Sequence, residues 1–319
     1  MTGLKQEAAA GPVVNTKRST LGLLSDMRKN KLLYLMLTPV LLYYIIFHYA
    51  PMYGAIIAFK DFSPRLGILG SEWVGFEHFY DFFNGAYFWR TIKNTVLISF
   101  YQLIFGFPAP LILALLLNEV KHSMFKRTVQ TVTYMPHFIS LVVICGIVKD
   151  FTSSEGIIND LLAWFGAQRS TFLLEPDLFR TIYVSTGIWQ HIGWGTIIYL
   201  AALTGIDPEQ YEAARIDGAS RWKQMAHVTL PGIMPTIVIL LILEVGKMMN
   251  VGFEKIILLY NPSTYETADV VSSYVYRVGL QDFNYSFSSA VGLFNSAVNF
   301  TLLILSNWIS KKVNDTSLW

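Results

Sequence analysis

Hydrophobic residues gather into six long runs, at 32–57, 92–117, 129–148, 182–203, 232–258 and 287–309, with polar stretches between them. Each run can cross roughly 30 Å of hydrocarbon at about 1.5 Å per residue of helix. A bilayer core offers the backbone no water, so runs of this length predict helices that satisfy their own amides and carbonyls. The chain therefore reads as an all-α integral membrane protein with six transmembrane helices. Pro39 and Pro51 interrupt the first run, and Pro108, Pro110 and Pro136 lie inside the next two. Transmembrane helices tolerate such prolines where neighbours or water satisfy the freed carbonyls. The first run is too long for a secretory signal peptide and lacks a clear small-residue cleavage site, so a retained helix is expected.

The polar stretches carry their own patterns. In 204–231, Asp207 can cap a helix, Pro208 suits its first position, Gln210 completes a capping-box-like pattern and Gly218 can take the left-handed conformation that ends it. These signals predict a short helix of about three turns. Trp222 and Met225 come next at helical spacing and are expected to pack back on it. In 259–286, Val270, Val271, Tyr274, Val275 and Val278 recur at helical spacing, which predicts a helix lying against the outer surface.

Charge orients the bundle. With the N-terminus inside, segments 1–31, 118–128, 204–231 and 310–319 hold 14 Lys and Arg, against 7 in the longer set 58–91, 149–181 and 259–286. Short cytoplasmic loops carry the excess of basic residues, so both termini are expected in the cytoplasm. The tails 1–31 and 310–319 then flank a transmembrane domain at 32–309. Trp73, Phe76, Phe79, Tyr80, Phe82, Phe83, Trp164, Phe165, Tyr265, Tyr274, Tyr276, Phe283 and Tyr285 in the external stretches suit interfacial belts.

Composition agrees with the pattern, at 53% hydrophobic and 14% charged residues, and narrows the function. A net charge of +2 with dispersed basic residues argues for no nucleic-acid partner. Cys145 is the sole cysteine and lies in an apolar run, so an intrachain disulfide and a cysteine metal cluster are excluded and the thiol reads as a small buried hydrophobe. No Gly-x-x-x-x-Gly-Lys-Ser/Thr, His-Glu-x-x-His or Gly-x-Ser-x-Gly occurs, which argues against an enzyme and against ATP hydrolysis by this chain. A secondary transporter would more typically show two hydropathically matched halves, and the runs are not evidently duplicated.

Ionisable groups inside an apolar run are costly and commonly face one another or a wet cavity. Glu244 and Lys247, three residues apart on one face of the fifth run, read either as a buried pair holding helix packing or, with Asn250, as the wall of a translocation path. Lys247 is expected to be the only Lys or Arg near the bilayer midplane. In the fourth run, Trp189, Gln190, Trp194 and Tyr199 offer the ring faces and polar groups that suit a sugar. His191 lacks a partner at metal-ligand spacing and reads as a satisfied core histidine, and no metal is expected.

The stretch Glu212-Ala213-Ala214, with Gly218 and then Val228, Leu230 and Pro231, resembles the cytoplasmic loop signature of binding-protein-dependent ABC importer permeases. Tyr53-Gly54, Phe59-Lys60-Asp61-Phe62, Trp73-Val74-Gly75-Phe76 and the stretch Tyr285 to Gly292 are similar to those of sugar-importer permeases, closest to the branch for complex polysaccharide fragments. The resemblance covers about residues 30–319. It implies the type I importer permease fold, with Glu212, Ala213, Ala214, Asp217, Gly218, Leu230 and Pro231 forming a coupling helix and its exit. It further implies a second permease, ABC ATPase subunits that bind ATP and Mg in place of any cofactor here, an extracellular solute-binding protein and an oligosaccharide substrate, with uronate-containing polysaccharide fragments as one candidate. The location implied is the bacterial inner membrane and the mechanism alternating access. The alternatives are a permease for another small polar solute and a secondary transporter.

Overall fold

The computed structural model describes residues 29–314 and 317–318, with Lys5, Lys17, Arg18 and Arg28 of the expected tail outside them. The chain forms two compact units, Met1–Ala55 and Ile56–Trp319. The first holds an α-helix Lys31–Tyr44, a π turn Ile45–Tyr49 and a short helix Ala50–Met52. Near the start of the second, strands Lys60–Asp61 and Glu72–Trp73 pair antiparallel, a small departure from an all-α chain. The Lys60 ammonium closes the intervening loop on the Ile68 and Ser71 carbonyls, at 2.7 and 3.1 Å.

The remainder of the second unit is helical. Helices Phe88–Tyr101 and Pro108–Glu119, joined by a π turn, precede Ser123–Tyr134, Leu141–Phe151, Pro176–Leu203, Pro208–Ile216, Leu230–Val245 and Tyr285–Asn314. Pro176–Leu203 is the centre of this packing, against Pro108–Glu119 on one side and Ser123–Tyr134 on another. Small residues allow that approach, since helices in lipid associate by close van der Waals contact. A Cβ on Gly193 would collide with the Thr133 carbonyl.

Four described helical stretches are long and apolar enough to cross a membrane: Lys31–Phe59, Phe88–Glu119, Arg221–Val245 and Tyr285–Lys312. Two expectations about the runs need correcting. The run at 129–148 is not one straight helix, because Ser123–Phe138 and Leu141–Phe151 meet at 103°. Pro136 brings no amide donor to the bend, and Ser140 caps the helix that restarts beyond it. The run at 232–258 begins earlier and ends earlier: helix starts at Arg221 and stops at Val245, with a break before Phe253–Leu259. The fourth run lies in the 28-residue helix Pro176–Leu203, long enough to span but diluted by Gln190, His191 and Thr196.

The predicted surface helix in 259–286 is instead packed inside, with Val270 and Val271 fully buried in helix Val271–Tyr276 and its cap. What holds it is Asp269, also fully buried, whose carboxylate accepts from Arg90 at 2.9 Å, Arg277 at 2.7 Å and Ser273 at 2.9 Å. Asn94 donates to the Asp269 and Glu266 carbonyls and accepts from Arg180, which ties the segment to two long helices. Burial works against charge on Arg277, but its bonds to Asp269 outweigh that and raise its pKa above the usual arginine range. Of the aromatic belt, Trp73, Phe76 and Tyr80 are exposed, whereas Phe82 is buried against Phe88, Phe287 and Phe294.

Candidate functional site

Two regions carry the candidate residues. The first is the loop helix Pro208–Ile216. Asp207 caps it, accepting from the Glu209 amide at 2.9 Å. Gln210 does not complete a capping box: its amide bonds to the Asp207 backbone carbonyl instead. The far end closes as sequence predicts. Gly218 has φ of 76°, its amide reaches the Arg215 carbonyl at 3.1 Å, and the Ala219 amide reaches Ala214 at 2.9 Å. This pair of bonds is the Schellman closure, which requires a left-handed residue.

The helix buries none of its residues, and Glu212, Ala213, Asp217 and Gly218 are exposed, with Ala214 half-buried. Trp222 does not pack back on it; it is 75% exposed, and Ile216 is 86% exposed. The loop is nevertheless fastened to the next helical segment. Tyr211 and Thr229 share a hydroxyl hydrogen bond of 3.0 Å, and Gln224 donates to the Ala219 carbonyl at 2.8 Å. Leu230 and Pro231 begin the Leu230–Val245 helix, which continues without interruption from Arg221. One 25-residue helix therefore runs from the loop to Glu244.

The second region is a cavity of about 360 Å³ among three long helices, lined by Gln102, Gly187, His191, Trp194, Glu244 and Lys247 with apolar neighbours. It lies between two apolar clusters, meeting Val184 and Ile188 of one and Tyr199 and Leu240 of the other. Glu244 and Lys247 are both exposed to it and form no salt bridge with each other or with any described residue. The buried-pair reading is thus wrong for the described residues. The helix ends at Val245, between the two, so they do not share one unbroken helical face.

That break is a built feature. Across 246–252, Asn299 accepts from the Met249 amide at 2.9 Å, Ser99 donates to the Met248 carbonyl, and Ser272 donates to the Val251 carbonyl at 2.6 Å. Asn250 accepts from Asn295 at 2.9 Å and from Asn299 at 3.0 Å. A smaller cavity of about 120 Å³ brings Asn250, Glu244 and Lys247 together with Ser99 and Gln102. Irregular backbone at membrane depth is tolerated where protein satisfies it or it lines a wet cavity, and both hold here.

Of the ring-bearing candidates, Trp194 lines the large cavity and stacks on His137 at 4.3 Å, nearly parallel. Tyr199 is buried but forms part of the cavity wall. Trp189 and Gln190 are outside the lining, Gln190 being buried. His191 is not a core residue: it lines the cavity, and its Nδ1 is 3.3 Å from that of His137. No group of three or more metal-ligating side chains occurs among the described residues. Sequence reasoning missed His137, Asn295, Asn299 and Lys255; the asparagines, one helical turn apart in an apolar helix, were the available signal.

A helical membrane chain with a cavity between its long helices, a few charged and polar groups set in a mainly apolar wall, and a capped loop helix joined to that cavity by one continuous helix, has the build of a transport subunit. The chain belongs to the family described as "Binding-protein-dependent transport system inner membrane component", whose model matches residues 106–315. It is 47% identical to Protein LplB of Bacillus subtilis (strain 168) over 93% of both chains. It is 44% identical to the polygalacturonan/rhamnogalacturonan transport system permease protein YteP of the same organism, over all of this chain and 99% of that one. Among solved structures it matches a bacterial alginate ABC transporter in complex with alginate pentasaccharide-bound periplasmic protein, with TM-score 0.86 and 44% identity over 93% of this chain and 99% of the other. A second structure, of a bacterial ABC transporter involved in the import of the acidic polysaccharide alginate, gives TM-score 0.85 and 45% identity over 92% and 99%. The fold is that of a type I ABC importer permease.

Proposed function

We propose that this chain is one of two permease subunits in an ATP-driven importer that receives uronate-containing oligosaccharides from an extracellular binding protein and passes them into the cytoplasm by alternating access. Both termini face the cytoplasm in this reading, and ATP and Mg²⁺ are held by separate ATPase subunits, with no cofactor on this chain. The likeness to permeases of polygalacturonan and alginate transporters supports the substrate class. The exposed Glu212 and Ala213 beside a half-buried Ala214, on a helix closed by Gly218, support the contact with the ATPase.

Movement of the docked loop is carried by the Arg221–Val245 helix, since the Tyr211–Thr229 bond ties the loop to its first turns. The far end of that helix bears Glu244 at the cavity, so displacement of the loop reshapes the cavity wall. Trp194 presents a ring to the C–H faces of a pyranose, and Asn250, Gln102 and Lys247 present polar groups to its hydroxyls and carboxylates.

The observation that carries the substrate class is Lys247, an ammonium on the cavity wall that forms no salt bridge among the described residues. A desolvated carboxylate gains a charge-assisted hydrogen bond from such a group, whereas a neutral sugar gains little. Uptake of trigalacturonate and of galactotriose should be compared in proteoliposomes with the parent complex and with Lys247→Gln at matched abundance. A loss of about tenfold confined to the acidic sugar is expected. Equal losses would assign Lys247 to helix packing, and no loss would remove it from the path.

A further inference from the structure

Of the acidic and basic side chains on the cavity wall, Glu244 offsets Lys247. A second cation lies one layer behind. Lys255, in the short helix Phe253–Leu259 beyond the break, is only 7% exposed. Its ammonium donates to the Tyr183 carbonyl at 2.9 Å and sits 4.6 Å from the centre of the Tyr183 ring. No carboxylate among the described residues forms a salt bridge with it.

An ammonium buried at membrane depth without a counterion is expensive, and an apolar side chain of the same length would pack there at lower cost. Its position supplies a use. Gly187 lines the cavity, and a Cβ on it would stand 3.4 Å from the Lys255 nitrogen and 3.8 Å from the amide nitrogen of Gln102, itself a cavity residue. With no side chain at 187, the Lys255 ammonium stands just behind the cavity wall at that position, Lys255 itself not being a lining residue.

We infer that Lys255, standing behind the cavity wall at Gly187, is a second specificity-determining residue beside Lys247, one that makes the cavity net positive and favours carboxylate-bearing sugars over neutral ones of equal size. Lys247 and Glu244 act locally on the wall, and Lys255 sets the balance between them. This rests on the acidic-substrate reading of the cavity. The role differs from packing in one measurable respect: packing is indifferent to the charge of the solute.

The test uses the whole transporter in proteoliposomes, with trigalacturonate and galactotriose each at a concentration that saturates the binding protein. Lys255→Met keeps length and removes charge, and the expected result is a fall of about tenfold in the acidic-to-neutral uptake ratio with neutral uptake within about twofold of the parent. Gly187→Ala retains Lys255 and places a methyl between it and the cavity, and a smaller fall in the same ratio is expected. It also serves as the reporter if Lys255→Met does not assemble. An unchanged ratio in the variant that assembles, or equal loss of both sugars, overturns the role of Lys255 while leaving the substrate class intact. A parent complex that prefers the neutral sugar overturns the substrate class and this inference together.

Discussion

Asp269 gathers two guanidinium groups and a hydroxyl around one buried carboxylate. Removing one partner of such a cluster leaves the others charged and desolvated, at a cost of about 3–5 kcal/mol. Asp269→Ala should therefore lower the thermal unfolding midpoint of the purified subunit complex markedly, and Arg90→Gln, at a site 29% exposed, should lower it less. Equal small shifts for both would show that the cluster is not a structural anchor. Such clusters are hard to see in sequence. Asp269 meets Arg90 across 179 positions, and Lys255 meets the Tyr183 carbonyl across 72. Gly218 and Asp207 were legible because capping is settled within a few residues. Lys255 escaped notice because an unbroken helix over 232–258 would have carried it to the membrane edge.

At the scale of elements, the loop helix works through its ends as much as its exposed face. Gly218 holds a φ of 76°, and a β-branched residue there is strained by about 1–2 kcal/mol. That is too little to unfold the bundle and enough to unwind the Schellman closure. Gly218→Val should leave expression and assembly intact while substrate-stimulated ATP hydrolysis by the complex falls several-fold; parent-like stimulation would show that the loop does not transmit. Hydropathy located most long helices but not their interruptions. The 103° bend has a local mark in Pro136 and Ser140, whereas the stop at Val245 precedes a break whose irregular backbone is held by side chains from elsewhere in the fold, and a local window contains no trace of them. The internal helix at 271–276 was misplaced for a related reason: its valines gave the period but not the partner that buries them.

The molecule as a whole has an expected sidedness that chemistry can read. Ser220 comes after the loop helix and Ser154 lies in a stretch assigned to the outside, and both are exposed. Because Cys145 is free and buried, the parent chain gives little background for thiol reagents. A membrane-impermeant maleimide should label Ser154→Cys in intact cells, and Ser220→Cys only in inverted vesicles. The reverse pattern would overturn the orientation inferred from the distribution of Lys and Arg.

The hydrogen-bonded break at 246–252 also bears on how the protein is made. Its Met249 amide is taken up by Asn299, fifty positions later in the chain, and its Val251 carbonyl by Ser272. When the ribosome has finished the segment around Val245, neither partner exists, and an unsatisfied backbone group in lipid costs several kcal/mol. These bonds are therefore all in place only once the Tyr285–Asn314 helix has been made, and the last described helix completes the backbone of the fifth run.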